Sequence, residues 1–211
     1  MVDPRRELLR GLIDYAGLFP PASLALRDAV RNYQKYRSGP HAWMLARFVI
    51  PAVLVDQAPA DFPLSVIAPD KKSERAGENE YIEIPVTGDP SLLGGARAKI
   101  RTGGDQYPSA EDLANFLYRA ARARVPFKAT AGLHHPLPEA PMHGFLNLFL
   151  AACQVWHGAG ETVALATLRA AAPRIDLTGE QIRDARAGFA ISFGSCSFEE
   201  PVAELEQLGW L

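Results

Sequence analysis

The stretch that most constrains the fold is residues 97–132, in which two short apolar strands flank a helix. The first strand, ARAKIRT, is followed by the turn GGDQYP, and Ser109 then begins the capping pattern S-A-E-D, which predicts a helix. VPFKATAGL follows as the second strand. This length and punctuation are typical of a βαβ unit, so we expect the two strands to be parallel and joined by a right-handed crossover.

Hydrophobic spacing and turn residues predict further elements on both sides of this unit. Helices are expected at residues 7–16, 23–36, 142–156, 161–171 and 178–186, and Ser197 with Glu200 begins a last one. Strands are expected at residues 44–50, 64–68, 81–86 and 189–194. The polar string PDKKSERAGENE, residues 69–80, is interpreted as a loop because it is short for a helical crossover.

The alternation of β and α elements sets the fold class. Strands that lack a polar face indicate a largely parallel α/β sheet or barrel. Six predicted strands are fewer than the eight of a complete TIM-like barrel, and 211 residues are fewer than the typical length of about 250. We therefore expect a single α/β domain built as a reduced or distorted TIM-like barrel, with an open, mostly parallel α/β sheet as the alternative.

Charge and hydropathy narrow the class of partner. A formal net charge of -2 and a pI near 6.2 give no bulk electrostatic attraction to nucleic acid or to an anionic membrane. No apolar run approaches the eighteen residues of a membrane span. We expect a cytoplasmic protein whose partner is a small molecule, and the oligomeric state is left open. The two cysteines, Cys153 and Cys196, are expected to be free thiols.

Cations inside the two strands of the βαβ unit are the first candidate site. Alternation places Lys99 with Arg101 on one face of the first strand, and Lys128 with Thr130 on one face of the second. A lone buried ammonium costs several kcal/mol unless it is paired or loses its proton. If both strands point these lysines into a barrel, mutual repulsion and burial would lower at least one pKa. A neutral amine is what Schiff-base chemistry requires.

The same strands resemble a known enzyme family. Lys99-Ile100-Arg101-Thr102-Gly103 resembles the K-x-x-T-G strand of class I aldolases of the deoxyribose-phosphate aldolase type, and KATAGL, residues 128–133, is similar to the K-A-S-G-G-I strand that follows there. In that family the first lysine forms the Schiff base and the second lowers its pKa. The resemblance therefore implies that Lys99 is the nucleophile and Lys128 its modulator. FGSCS, residues 193–197, loosely resembles the G-x-S turn at the phosphate site of the family.

A second resemblance covers more of the chain and carries no chemistry. The phrases DYAGLFPPA, KIRTGG, FKATAGLHHP, HGFLN and FGSCSFEEP are similar to those of a family of uncharacterised bacterial proteins. That resemblance implies no activity.

Other charged residues in strands allow a structural interpretation of the lysines. Glu83, alone in the apolar strand YIEIPV, is placed to pair with Lys99 or Arg101, and Arg47 stands similarly in MLARFVI. A closed ion-pair network would explain all of them without catalysis. Charges at comparable places in four strands favour a polar barrel interior or mouth instead. We therefore include Glu83 among the candidate catalytic residues and Arg47 among those that bind substrate.

Histidines follow the second lysine strand. His134 and His135 end it, and His143 lies across the next loop. With Glu83 they could form an N,N,O zinc or iron site, but no H-x-H or H-E-x-x-H spacing supports this, and we expect no cofactor. More often such histidines act as general acids or bases or bind loop carbonyls.

Two glycine-bearing turns suggest anion binding. The first places the backbone N–H groups of Thr102, Gly103 and Gly104 beside Arg101. The second leads directly into a predicted helix N-terminus, where free donors and the helix dipole favour an anion; it comprises Gly194, Ser195, Cys196 and Ser197. Two glutamates directly after the second turn weaken its case, because they can satisfy the same donors. Asp14 and Tyr15 could line a pocket, but we interpret them as a helix C-terminus.

Three hypotheses of function follow. The first is an enzyme that binds a small carbonyl or phosphorylated compound and acts by Schiff-base lyase chemistry. The second is a metal-dependent hydrolase or isomerase that uses the histidines. The third is a non-catalytic ligand-binding or assembly protein whose charges form a closed network.

Overall fold

Eight strands close into a barrel, and they follow one another around it in chain order. The computed structural model describes residues 2–70, 72–104 and 107–211. All neighbouring strands are parallel except at β4, which runs antiparallel to both of its neighbours. The strands are β1 Ile13–Tyr15, β2 Leu45–Pro51, β3 Leu64–Ile67, β4 Ser73–Ala76, β5 Asn79–Glu83, β6 Arg97–Arg101, β7 Phe127–Thr130 and β8 Ala190–Ser195.

Seven α-helices belong to the described residues, with 3₁₀ segments at Ala42–Met44, Ala52–Gln57 and Pro90–Leu93. No described helix combines the length and the apolar character that a bilayer crossing requires. The prediction of a distorted TIM-like barrel is confirmed, and the alternative of an open sheet is wrong. The α-helices are α1 Pro4–Leu9, α2 Leu26–Arg37, α3 Ala110–Arg122, α4 Phe145–Trp156, α5 Glu161–Arg169, α6 Gly179–Gly188 and α7 Glu199–Gln207.

The βαβ unit at the centre of the prediction has the expected form. Strands β6 and β7 pair in parallel, and Lys99 and Lys128 are register partners. The hydroxyl of Ser109 caps α3 by accepting a hydrogen bond from the backbone N–H of Asp112 at 3.0 Å. The two lysines therefore lie side by side on neighbouring strands.

Strand β1 was missed, because the prediction of one helix over residues 7–16 is wrong. Helix α1 ends at Leu9, Gly11 follows with a φ of +52°, and Ile13–Tyr15 pairs with β2 and β8. Leu8, Leu9, Leu12 and Ile13 are all buried. Their spacing suits one face of a helix. In the structure, however, Leu12 follows a turn and Ile13 lies in β1.

Strand β4 was also missed, because residues 69–80 do not form one loop. Ser73–Ala76 pairs with β3 on one side and, through a turn at Gly77, with β5 on the other. Its sequence, SERA, contains no apolar run to signal a strand. Glu74 is nevertheless buried, because its side chain points into a barrel interior that is itself charged.

The hydrophobic core lies outside the strands and under the helices. Phe127 on β7 packs against Phe116 of α3 and Phe149 of α4, and Phe149 in turn contacts Phe193 on β8. Because side chains alternate along a strand, the neighbours of these aromatic residues point into the barrel. The predicted buried helix at residues 142–156 is confirmed as α4, whose side chains are buried on nearly every side.

Candidate functional site

A layer of buried polar side chains crosses the barrel interior, and we call it the polar layer. Six strands contribute one residue each: Asp14, Ser65, Glu74, Lys99, Lys128 and Ser192. All six are at least nine-tenths buried. Such a layer is unlike the packed branched side chains that usually fill a TIM-like barrel.

Lys128 is held between two carboxylates. Its Nζ lies 2.7 Å from Oδ2 of Asp14 and 2.6 Å from Oε1 of Glu74. Each carboxylate also accepts a hydrogen bond from a hydroxyl group. Ser192 donates to Asp14 at 2.8 Å, and Ser65 donates to Glu74 at 2.5 Å. The ammonium of Lys128 is thus paired and hydrogen-bonded, which is the condition under which a buried charge is tolerated.

These contacts decide the protonation state of the pair. Burial alone lowers the pKa of Lys128, but the attraction of Asp14 and Glu74 and the hydrogen bonds to both outweigh it, and the net pKa is raised. Burial likewise raises the pKa of Asp14, but the charges of Lys128 and Arg47 and two hydrogen bonds lower it overall. The sequence leads us to expect that repulsion and burial lower the pKa of at least one of the two lysines, and Lys128 is not that lysine.

Lys99 is buried in the same layer as deeply as Lys128, but it has different partners. Its Nζ lies 3.1 Å from Oε2 of Glu83 and 3.7 Å from Oε2 of Glu74. The side chain of Glu83 is 26% exposed, and one of its oxygens is 4.0 Å from Arg101 at the rim. The predicted pairing of Glu83 with Lys99 and Arg101 is confirmed. Glu74 connects the two lysines, since each of its oxygens faces one of them.

Arg47 lies on the other side of Asp14. Its backbone N–H donates to Oδ1 of Asp14 at 3.1 Å, and its guanidinium Nη1 is 3.7 Å from the same oxygen. The network thus joins four cations to three carboxylates: Arg47, Lys99, Arg101 and Lys128 lie against Asp14, Glu74 and Glu83.

A cavity of about 590 Å³ opens above the polar layer, at the carboxyl ends of the strands. This is the end at which TIM-like barrels place their active sites. Glu74 and residues 16–21, after β1, contribute to its wall. Nine of the residues singled out from the sequence line it: Glu83, Lys99, Arg101, Gly104, Lys128, Thr130, His134, Gly194 and Cys196.

The glycine turns after β6 and β7 press against each other beside the cavity. A Cβ on Gly132, whose φ is +75°, would come within 2.7 Å of Cα of Gly103. Thr102 is fully buried, and its hydroxyl donates to the carbonyl of Ala131. Thr102 and Gly103 therefore join the ends of the two strands and do not line the cavity.

The three histidines have separate surroundings. His134 lines the cavity, whereas Nδ1 of His135 is 2.8 Å from a carboxylate oxygen of Glu204 and Nε2 of His143 is 2.8 Å from the carbonyl of Pro108. Within residues 2–70, 72–104 and 107–211, no three His, Cys, Asp or Glu side chains are arranged to hold a metal ion. Of the three, only His134 is placed to contact a ligand in this cavity.

Several polar groups of the turn before α7 form hydrogen bonds with one another. Ser195 donates to the carbonyl of Ser197 at 2.6 Å and accepts from the backbone N–H of Ser197 at 3.3 Å. The hydroxyl of Ser197 accepts from the backbone N–H of Glu200 at 3.3 Å. Gly194 and Cys196 face the cavity, but Ser195 and Ser197 serve the turn.

Four members of the polar layer are not among the site residues predicted from the sequence: Asp14, Ser65, Glu74 and Ser192. One signal was available, because two buried lysines require carboxylates and only Glu83 had been assigned. The sequence pattern at Asp14 predicts the end of a helix. The pattern at residues 69–80, which include Glu74, predicts a loop, so the sequence indicates neither carboxylate as a partner of the lysines.

Comparisons of this chain with protein-family models, with curated proteins and with solved structures gave no match.

Proposed function

We propose that the chain is an enzyme that binds a small carbonyl compound in the cavity and acts on it by Schiff-base lyase chemistry at Lys99. The observation that carries this proposal is the unequal setting of two adjacent lysines. Lys128 is held by two short hydrogen bonds to carboxylates. Both lysines line the cavity, but Lys99 lies next to Glu83, a carboxylate that is 26% exposed and that a ligand can reach.

The reaction begins with transfer of a proton from the ammonium of Lys99 to Glu83, 3.1 Å away. The neutral amine adds to the carbonyl carbon, and the oxygen leaves as water, so that a protonated C=N bond replaces C=O. Cleavage of the bond between the α- and β-carbons of the substrate forms a C=C bond and moves the C=N electron pair onto this nitrogen, which gives an enamine. A β-hydroxyl group loses its proton as its carbon leaves as an aldehyde. Reprotonation and hydrolysis then release the second carbonyl product and the free amine.

Other cavity residues have roles that follow from position. Lys128 keeps a fixed positive charge on the neighbouring strand, which corresponds to the modulator that the aldolase resemblance implies. Arg101, 55% exposed at the rim, is placed to bind a carboxylate or phosphate on the substrate. His134 is the imidazole available for the proton of the β-hydroxyl group.

The alternative function is ligand binding without catalysis. It is favoured by the closed ion pairing of the polar layer, in which each carboxylate faces at least one cation. The open cavity directly above the layer favours a ligand in both cases. The two proposals differ in whether Lys99 becomes covalently attached.

Reductive trapping tests the proposal. The protein is incubated with a panel of small aldehydes and ketones and with cyanoborohydride, and its intact mass is measured. We expect an adduct in the wild type above the background labelling of exposed amines, and only that background in Lys99→Met. Lys35→Met serves as the matched control, because Lys35 is exposed and pairs with Glu199 on the surface. Equal adduct formation in the wild type and in Lys99→Met would reject the Schiff-base mechanism.

A further inference from the structure

A second cavity, of about 420 Å³, lies at the opposite end of the barrel. Gly11, Ala46, Pro63 and Ile191 line it, and each stands within two residues of the start of a strand. This cavity is therefore at the amino-terminal end and shares no lining residue with the cavity above the polar layer. None of the chemistry proposed for Lys99 uses it.

Arginines dominate its wall. Among the described residues, the cavity is lined by Arg10, Arg47, Arg183 and Arg186 and by one carboxylate, Glu7, which gives these lining residues an excess of three positive charges. The whole chain has a net charge of -2, so this concentration of cations is local. A concave wall of one sign concentrates ions of the opposite sign.

Glu7 accounts for only part of the charge. Its two oxygens lie 3.3 Å from Nη2 of Arg10 and 3.1 Å from Nε of Arg183. The carboxylate is buried, whereas the two arginine side chains are 53% and 56% exposed. Glu7 thus offsets one of the two guanidinium charges and leaves most donors of Arg10 and Arg183 accessible.

Arg186 is a buried cation with no carboxylate within 4.0 Å in the described part of the chain. Its guanidinium donates to the backbone carbonyls of Ala190, Ile191 and Arg10. Burial lowers the pKa of Arg186 to about 10. Its Nε is buried and finds no hydrogen-bond partner among the described residues.

Arg47 joins this cavity to the polar layer. Its side chain is 27% exposed, and its nearest carboxylate oxygen, on Asp14, is 3.7 Å from Nη1. That separation is an ion pair longer than a hydrogen bond. Arg47 therefore retains donors for a ligand that enters from the amino-terminal end.

We propose that this cavity is a binding site for a small oxyanion that carries two or more negative charges, of the phosphate type. Planar guanidinium groups bind such oxygens in pairs, and several arginines around one cavity are the arrangement that recognises them. An anion here draws on the same guanidinium that faces Asp14. Occupancy of the amino-terminal cavity and the charge balance of the polar layer are thus connected through Arg47.

Calorimetric titration with pyrophosphate at constant ionic strength tests the site. We expect saturable binding of one pyrophosphate per chain, weakened about tenfold or more in Arg10→Gln/Arg183→Gln. The matched control is Arg31→Gln/Arg169→Gln, which removes two exposed arginines and produces the same net charge; it is expected to bind like the wild type. Glu7→Gln removes the only carboxylate of the wall and is expected to tighten binding several-fold, so it tests the site even if the double variant fails to fold.

The two proposals can fail independently of each other. Reductive trapping reports on Lys99 in the cavity above the polar layer, whereas the pyrophosphate affinity of the Arg10→Gln/Arg183→Gln variant reports on the amino-terminal cavity, and the two cavities share no lining residue. Three results would overturn the anion site: no saturable binding by the wild type, unchanged affinity in Arg10→Gln/Arg183→Gln when that variant is folded, or unchanged or weaker binding in Glu7→Gln.

Discussion

Lys128 donates a hydrogen bond to Asp14 at 2.7 Å, although their strands, β7 and β1, are separated by β8. The contact therefore passes through the barrel interior and not along its wall. Ser192, on the intervening strand, donates to the same carboxylate oxygen at 2.8 Å. Hydrogen bonds to the buried carboxylate of Asp14 thus connect three neighbouring strands, β7, β8 and β1.

Removal of the buried ammonium group of Lys128 should cost more stability than loss of a surface lysine. In Lys128→Met, Asp14 and Glu74 stay buried and each loses its shortest ion pair, so we expect a loss of about 3–5 kcal/mol in the free energy of unfolding. Lys35→Met, which breaks an exposed pair, should cost about 1 kcal/mol or less. Urea unfolding measures both. Equal losses in the two variants would mean that the polar layer contributes no more than a surface ion pair.

Stability should also depend on pH through Asp14. The pKa of Asp14 in the folded protein lies below its ordinary value of 3.8, so its contribution is present above that value and is lost as the pH falls below it. The difference in free energy of unfolding between the wild type and Asp14→Asn should therefore narrow between about pH 6 and about pH 3. Asp28→Asn, at an exposed pair, is the control and should change stability by less than about 1 kcal/mol at either pH. A gap for Asp14→Asn that stays constant or widens toward low pH would contradict the assigned ionisation of Asp14.

Gly132 should tolerate no side chain. Its φ is +75°, and a Cβ would lie 2.7 Å from Cα of Gly103, so Gly132→Ala combines backbone strain with a backbone clash. Gly94 has a φ of +57° with nothing within 4 Å of its Cβ position. Gly94→Ala should therefore cost only about 1 kcal/mol, and Gly132→Ala clearly more. Thermal unfolding of both variants compares strain alone with strain plus clash, and equal shifts in Tm would show that the two turns are not in contact.

The two thiols should differ in reactivity. Cys153 is fully buried in α4, and burial raises its pKa to about 12. Cys196 lines the cavity above the polar layer and is only partly buried. We expect iodoacetamide to modify Cys196 alone in the native protein and both residues in denaturant, as measured by peptide mass spectrometry. Modification of Cys153 in the native protein at the rate of Cys196 would show that α4 opens readily.

The sequence predicted the parts of the fold in which local pattern and tertiary position agree. Strands β6 and β7 are separated by a capped helix and place Lys99 and Lys128 side by side as expected. Glu83 was found because a single carboxylate in an apolar strand is conspicuous. In each case the residue differs from its immediate neighbours in the chain.

Strands β1 and β4 show where that reasoning fails. Ile13–Tyr15 has only three residues, and the leucines before it continue a helical spacing. Ser73–Ala76 is polar because it lines a charged interior, which reverses the usual rule that a buried strand is apolar. Asp14 and Glu74 lie on these two strands. The partners of Lys128 are therefore contacts that only the closed barrel brings together.

The most direct test of the central claim is the location of the trapped adduct. The chain has five lysines, Lys35, Lys71, Lys72, Lys99 and Lys128, so peptide mass spectrometry after reduction with cyanoborohydride can quantify each of them. We predict that a trapped aldehyde or ketone is found on Lys99 and is absent from Lys128, because Lys128 is held between Asp14 and Glu74. An adduct on Lys128, or labelling of Lys99 no greater than that of Lys35, would contradict the account.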